Sequence, residues 1–299
     1  MGAFCLVAAV LLRFYAYDKV AVAPVDQNSV STLVGPNATV FDTGELEEIQ
    51  TELTTTAKTV GDIDATEKAP DNVVVWITTS STKSADGVIR SRSVEKIAFD
   101  KVTGEAVNCC GEYIESDEGA RENVRRKGLL VKFPFRTEKK TYQWWDDSVG
   151  DAVPIKYVKT EKVEGLETYM FQHTIEPVVT STIDLPAEML GEVGDETLTA
   201  EMTYSNVRTL WVEPATGVVI KRSEKQHNTI RYNGEDKIVT TDVDTGFDAK
   251  TIKENADTYG SLATMLGLVR TWIPLLFLLL GLGLIAFGVV RVRQESVEA

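Results

Sequence analysis

The residues of this chain that could carry chemistry are few. It holds two histidines, His173 and His227, and three cysteines, Cys5, Cys109 and Cys110. His173 lies in Tyr169-Met-Phe-Gln-His-Thr-Ile175, a strand-like run where it alternates with core residues. That placement reads as a structural histidine with a satisfied hydrogen bond. No metal-type ligand stands two or four positions from it, the spacing a zinc helix or ribbon would need. There is no Gly-x-Ser-x-Gly elbow, no HExxH and no glycine-rich phosphate loop. Asp242-Val-Asp-Thr-Gly-Phe-Asp248 has the alternate acids and the glycine of a calcium loop but lacks its closing bidentate Glu. A strand running into a turn explains it as well. The expectation is a protein that is not an enzyme, with no cofactor and no metal.

Cys109 and Cys110 are adjacent. They could close a vicinal disulfide, pair with other molecules, or stay reduced. Two half-buried thiols of a strand or turn are the favoured reading. The densest cluster of large side chains is Phe133-Pro-Phe-Arg-Thr-Glu-Lys-Lys-Thr-Tyr-Gln-Trp-Trp-Asp-Asp147. In a strand, Trp144 and Trp145 face opposite ways, so one is expected in the core and the other at the surface. An exposed Trp beside Phe133, Phe135 and Tyr142 would make an apolar lip for a lipid or a partner. Core aromatics of a large sandwich account for the cluster equally well.

The elements that position these residues begin at the chain's ends. Thr271 to Val290 is an uncharged apolar run between Arg270 and Arg291. As a helix it rises about 30 Å, the thickness of a bilayer's hydrocarbon core. Trp272 sits at an interfacial level, and Pro274 is expected in the first helical turn, where its missing N–H costs little. Arg291 and Arg293 put the C-terminal end in the cytoplasm by the positive-inside rule. No pair of glycines four apart marks a helix–helix face in this run. A second apolar run, Gly2 to Leu12, ends at Arg13. Extended to Tyr17 it reads as a signal anchor, with Arg13 snorkelling outward and a natural start upstream. The expected layout is an N-terminal anchor or transmembrane helix over 1–17 and an extracytoplasmic β-rich ectodomain over 18–269. A transmembrane helix over 270–291 and a cytoplasmic tail over 292–299 follow.

The net charge of −14 repels nucleic acid and anionic headgroups. Between the apolar ends the chain is rich in Thr and Val and alternates polar with apolar residues. Strands are expected at 39–42, 45–59, 73–82, 88–99, 129–133, 167–174, 207–212, 218–225 and 237–243. Gly35-Pro36-Asn37, Pro70-Asp71-Asn72, Ser84-Ala-Asp-Gly87 and Asn233-Gly234 read as turns between them. Ile97-Ala-Phe-Asp-Lys-Val-Thr-Gly-Glu-Ala-Val107 and Leu210-Trp-Val-Glu-Pro-Ala-Thr-Gly-Val-Val-Ile220 repeat one pattern: strand, acid, Thr-Gly turn, returning strand. A short helical turn is expected at 186–190 and a longer helix at 248–266, running toward the membrane. The fold class is mainly antiparallel β, sandwich- or barrel-like, with a transmembrane helix at each end.

Several segments together carry a resemblance. Leu11-Leu-Arg-Phe-Tyr-Ala-Tyr17, Gly35-Pro-Asn-Ala-Thr-Val-Phe-Asp42 and Phe133 to Asp146 are three of them; Glu164-Gly-Leu-Glu-Thr-Tyr-Met-Phe171 and Leu268-Val-Arg-Thr-Trp-Ile-Pro-Leu275 are the others. In these the chain resembles, over nearly its whole length, the porin PorA family of actinobacterial membrane proteins. The resemblance implies a cell-envelope protein. The layout of two end helices around a β-rich ectodomain is also similar to the scavenger-receptor class B group, which implies lipid passage through an ectodomain tunnel. From these the leading expectation is a membrane-anchored, non-enzymatic protein that binds or transfers lipid. Expected partners are membrane lipids, an envelope glycolipid or fatty acid, and other envelope membrane proteins. A channel, or a scaffold subunit of a membrane complex, is the alternative.

Overall fold

A computed structural model describes residues 1–42, 44–116 and 119–295. Two helical pieces open the chain, α1 (Gly2–Leu11) and α2 (Tyr17–Val20), joined by a π-helical turn over Leu12–Ala16. Six strands follow: β1 (Asn28–Asp42), β2 (Glu47–Gly61), β3 (Val73–Ser84), β4 (Ile89–Asp100), β5 (Tyr113–Ser116) and β6 (Arg121–Glu122), with a short helix α3 (Ile63–Glu67) after β2. Six more are β7 (Tyr142–Asp146), β8 (Asp151–Val163), β9 (Leu166–Pro186), β10 (Thr197–Val212), β11 (Val219–Tyr232) and β12 (Glu235–Phe247). The chain ends in α4 (Ala249–Gly267), a second π-helical turn over Leu268–Trp272, and α5 (Ile273–Glu295).

All twelve strands form one ladder in the order β6-β5-β4-β3-β2-β1-β12-β11-β10-β9-β8-β7. Every pairing is between antiparallel neighbours, and only β1 with β12 joins strands distant in sequence. The antiparallel β class is as expected. The finer expectation of a sandwich or barrel gives way to a single open sheet that rolls. Trp145 of β7 packs in one cluster with Val74 and Trp76 of β3 and Ile97 and Phe99 of β4. Two coil segments bridge the gap between β4 and β7. Val107 N donates to Ala98 O at 3.1 Å and Ala106 N to Gly128 O at 2.9 Å. Leu129 N then donates to Gln143 O at 2.8 Å, and Trp145 N returns to Leu129 O at 2.9 Å. At that level backbone hydrogen bonds pass right around the roll, although the strand ladder stays open.

Local sequence explains most boundaries. Asn233 and Gly234 both take positive φ (51° and 80°) and close a two-residue hairpin. Gly35-Pro36-Asn37 is not a turn between strands. It is a bulge inside β1, where the register against β2 shifts between Gly35 and Ala38. Proline is tolerated at such a bulge because no ladder N–H is required there. Residues 129–133 form no strand; Leu129 makes isolated bridges to Glu105 and Trp144, and the rest is coil. A buried coil gives the same unbroken apolar run as a strand buried on both faces.

The two Thr-Gly turns of the sequence repeat hold this coil. Asp100 Oδ1 accepts from the N–H groups of Val102 and Thr103, and the Glu213 carboxylate accepts from those of Ala215 and Thr216. Gly104 (φ 79°) then accepts a hydrogen bond from Leu130 N, and Gly217 (φ 75°) accepts one from Phe133 N. A Cβ at Gly104 would lie 2.5 Å from Lys132 O, and one at Gly217 would lie 2.0 Å from Phe133 O. Only glycine admits both the left-handed backbone and that approach.

At the base of the sheet, Asp248 caps α4 by accepting from Thr251 N at 2.7 Å. α4, the π turn and α5 run on as one helix, whose stretch Ala249–Arg291, 43 residues, is the one described helical span long and apolar enough to cross a membrane. Pro274 is therefore mid-helix rather than in a first turn. Its missing N–H would leave the carbonyl four residues back, Arg270 O, unpaired. The π turn lies just before it, and Arg13 Nη1 from the opposite helix donates to Arg270 O at 3.3 Å. Arg13 thus does not simply snorkel outward. Arg270 in turn lies 5.1 Å from the centre of the Tyr17 ring. Below this lock α1 packs on α5 through glycine: a Cβ at Gly2 would meet Ile285 Cγ1 at 2.6 Å, and one at Gly281 would meet Leu6 Cδ2 at 2.9 Å. The absence of a paired-glycine motif in the C-terminal run did not exclude a close helix contact, because the second glycine comes from the other helix.

Candidate functional site

The roll encloses a chamber of about 410 Å³. Its wall follows the strand period of two. β2 contributes Thr55 and Ala57, β3 contributes Thr78, Ser80 and Thr82, β11 contributes Arg222, Glu224 and Gln226, and β12 contributes Thr241, Val243 and Thr245. Small hydroxyls line β2, β3 and β12, charged side chains gather around Glu95, Arg126, Arg208 and Glu224, and apolar residues such as Leu53, Ile97 and Trp144 fill the rest of the wall.

Two buried charge networks meet this chamber. In the first, Arg208 on β10 bonds Glu224 on β11 at 2.5 Å and Asp146 at the end of β7 at 3.0 Å. Arg222 Nε also donates to Glu224, at 2.6 Å. Asn206 Nδ2 and Gln226 Nε2 each donate to Glu224 Oε2 at 3.1 Å, and Tyr204 OH donates to Asp146 Oδ2 at 3.2 Å. Burial works against the Glu224 charge, but Arg222 and Arg208 outweigh it and hold the carboxyl well below its usual range. Burial, then the neighbouring Asp146, pushes the Tyr204 phenol up to about 12. His173 faces this network from β9, paired in register with Arg208. Burial and the Arg208 charge push it down to about 4. Neither of its ring nitrogens has a hydrogen-bond partner. The satisfied hydrogen bond expected of it is not made, and no serine hydroxyl engages it.

The second network centres on Arg126, which is 1% exposed. Its guanidinium lies 3.6 Å from Glu95, 3.9 Å from Glu112 and 3.7 Å from Asp147, all long for ion pairs. Its Nε and Nη2 have no hydrogen-bond partner. Glu95 borders the chamber; burial first, and the Asp147 charge second, push its carboxyl up to about 7. The chamber thus holds a carboxyl that titrates near neutrality beside an arginine with spare donors.

A second cavity, about 180 Å³, lies at the end of the roll that faces the helices. Val22, Pro24, Trp76, Tyr259 and Leu262 are among its walls, and Val131 borders both cavities. Leu262 and Phe135 continue from it into the cluster of Tyr17, Ala21 and Leu266 that joins the sheet to the helix pair.

The aromatic cluster seen in the sequence falls between these features. Phe133 is fully buried, stacked on Trp144 at 5.3 Å and on Phe171 at 4.5 Å. Trp144 and Trp145 are both buried, in different clusters. The expected split of one core and one surface Trp fails because β7 has packed residues on both faces once the sheet rolls. Tyr142 is half-buried and its hydroxyl accepts from Glu138 N. Phe135 is half-buried and lines the lower cavity. Cys109 and Cys110 are joined in a vicinal disulfide rather than held as two thiols; Cys5 in α1 is free. Asp242 and Asp244 lie within β12, and among the described residues no acid, His or Cys group is arranged to hold a metal.

The sequence did not single out Glu95, Arg126, Arg208, Arg222 or Glu224. One signal was present. Arg208 shares the strand phase of buried Leu210 and Val212, and Glu224 that of buried Ile220. A charge in the core phase of an alternating strand marks an inward-facing polar site.

Residues 1–290 match the family described as Porin PorA. The chain is similar to a Porin PorA of Corynebacterium amycolatum, 26% identical over 125 residues that cover 33% of this chain and 32% of the relative. It is also similar to a Porin PorA of Corynebacterium resistens, 25% identical over 154 residues that cover 36% and 37%. The matched parts span about a third of the length of each relative.

Proposed function

Since this chain belongs to the Porin PorA family, we propose that it forms a channel in the cell envelope. The family is non-enzymatic and its members belong to the envelope membrane. The match over residues 1–290 carries this reading. The structure sets its physical terms. A transmembrane β-barrel shows lipid an apolar outer band. The outer face of this sheet instead exposes Glu52, Lys58, Glu176, Lys225 and Asp244. The strands are therefore suited to water, and the element suited to the bilayer is α5 beside α1. Two helices enclose no pore, so several copies must surround the path, with the rolled sheets as polar vestibules outside the cytoplasm.

Purified full-length protein added to planar bilayers should give discrete conductance steps, with an oligomer visible by crosslinking in the membrane. Glu95→Gln should change ion selectivity if the chamber lies on the path. No steps at any protein density would overturn the reading. A second reading, lipid binding or transfer, is favoured by one observation: the apolar cavity opens at the membrane-facing end of the roll.

A further inference from the structure

Lys132 is 4% exposed and lies at the wall of the lower cavity. Its ammonium donates to Phe133 O at 2.5 Å and Val102 O at 3.4 Å, and lies 4.2 Å from the centre of the Phe135 ring. All three partners are neutral. Among the described residues no carboxylate forms an ion pair with it; Asp100 is the acid whose field reaches it. A buried ammonium without a counter-ion is costly, because carbonyl dipoles return only part of its hydration. Burial accordingly pushes Lys132 down to about 7. Two glycine turns fix the backbone at this residue, so the side chain is held at the cavity and does not reach it by drift.

The rest of the wall carries no charge; Gln27, Ser29, Ser31, Thr59, Thr216 and Asn255 are its polar members. Val22, Pro24, Val30, Trp76, Val218 and Leu262 present apolar surface. The apolar path continues through Phe135, Leu262 and Leu266 to the helix pair. One fixed cation in a mainly apolar pocket, with an apolar route to the helix pair, suits a ligand with one negative charge and one hydrocarbon tail. A doubly charged phosphate would call for more than one cation, and Lys132 is the one cationic side chain of this wall.

We propose that this cavity binds a single-chain fatty acid, its carboxylate on Lys132 and its tail leading along Phe135 and Leu262 toward the membrane. The inference rests on the lipid reading above and is independent of channel formation. The probe is a diazirine-bearing palmitate, photolysed with full-length protein in phosphatidylcholine nanodiscs and mapped by peptide mass spectrometry. Label is expected within residues 22–31 and 255–262. Unlabelled palmitate should compete it away, and hexadecanol or lysophosphatidylcholine should not. Lys132→Met should reduce that label at least tenfold, while label on α1 and α5, which reports the bilayer pool, stays unchanged. Leu262→Trp, which fills the pocket without touching the cation, should also abolish it. Competable label elsewhere that neither variant changes would overturn this site and leave lipid binding standing. No competable label at all would overturn both. Label lost in Leu262→Trp but kept in Lys132→Met would overturn the role given to the cation.

Discussion

At the scale of single residues, the chain puts its largest constraints in backbone and in buried charge. Gly217 and Gly234 both have positive φ, but only at Gly217 would a Cβ strike backbone; at Gly234 nothing lies within 4 Å. Gly234→Ala should cost about 1 kcal/mol, the strain of a left-handed alanine. Gly217→Ala adds displacement of Phe133 and should cost about 3 kcal/mol or more. Urea melts of the two variants check the difference. His173 makes a pH prediction with a definite sign. Its folded value, about 4, lies below its ordinary 6.5. The fold therefore favours the neutral ring. Above pH 6.5 this has no effect on stability, and stability is lost as pH falls from 6.5 toward 4, by up to about 3 kcal/mol. His173→Phe should flatten that part of the melting-temperature profile. Glu95 has the opposite sense: raised to about 7, it favours the fold when protonated, and that contribution is lost as pH rises from about 4.5 to 7. Glu95→Gln should flatten the neutral limb instead. A variant pair that leaves both limbs unchanged would contradict the burial described for these groups.

At the scale of elements, the sequence was most legible where one periodicity had one cause. The apolar C-terminal helix, the helix that begins after Asp248 and the Asn233-Gly234 turn follow from local chemistry and lie where expected. The failures have physical reasons. β8 was missed because Lys156, Lys159, Glu161 and Lys162 fall on both of its faces and a bulge between Tyr157 and Lys159 shifts the alternation. The first half of β1 was lost because Pro36 ends most strands, and only the bulge rescues it. The site was the least legible part: its charged side chains come from β4, β7, β10, β11 and the coil that carries Arg126, and only rolling of the sheet brings them together. The two π turns were invisible except through Pro274. The helix pair makes its own prediction. Cysteines introduced by Val10→Cys and Leu278→Cys, which line one groove between the two helices, should crosslink efficiently with a short bis-maleimide in membranes, in a Cys5→Ser background. Adding Gly281→Val, which forces Leu6 away, should reduce the crosslink severalfold; an unchanged yield would mean α1 and α5 do not pack through these glycines.

At the scale of the whole molecule, one continuous helix, 43 residues and about 64 Å from Ala249 to Arg291, leads from the sheet into the proposed membrane anchor. The sheet is thus mounted on its anchor without a flexible linker. The orientation proposed from Arg291 and Arg293 is checked by cysteine labelling in intact cells. A membrane-impermeant maleimide should modify Asp195→Cys in the exposed loop before β10, and should reach Gln294→Cys only after lysis. The reverse result would place the roll in the cytoplasm. Residues 296–299 of the expected tail lie outside the described residues. The ladder order has a further consequence, for how the protein is made. Apart from the pairing of β1 with β12, strands β1 to β6 and strands β7 to β12 pair only with near neighbours, so that pairing is the one strand-to-strand seam between the two halves of the ladder. β12 is the last strand to be synthesised, so β1 waits with an open edge while the ribosome completes roughly two hundred residues. At 5–20 residues per second this is on the order of ten to forty seconds. An unpaired edge of that length invites pairing with a neighbouring nascent chain. The fold therefore makes its greatest demand on chaperoning at a moment when half the sheet is already built, and any chain interrupted before Glu235 carries that open edge permanently.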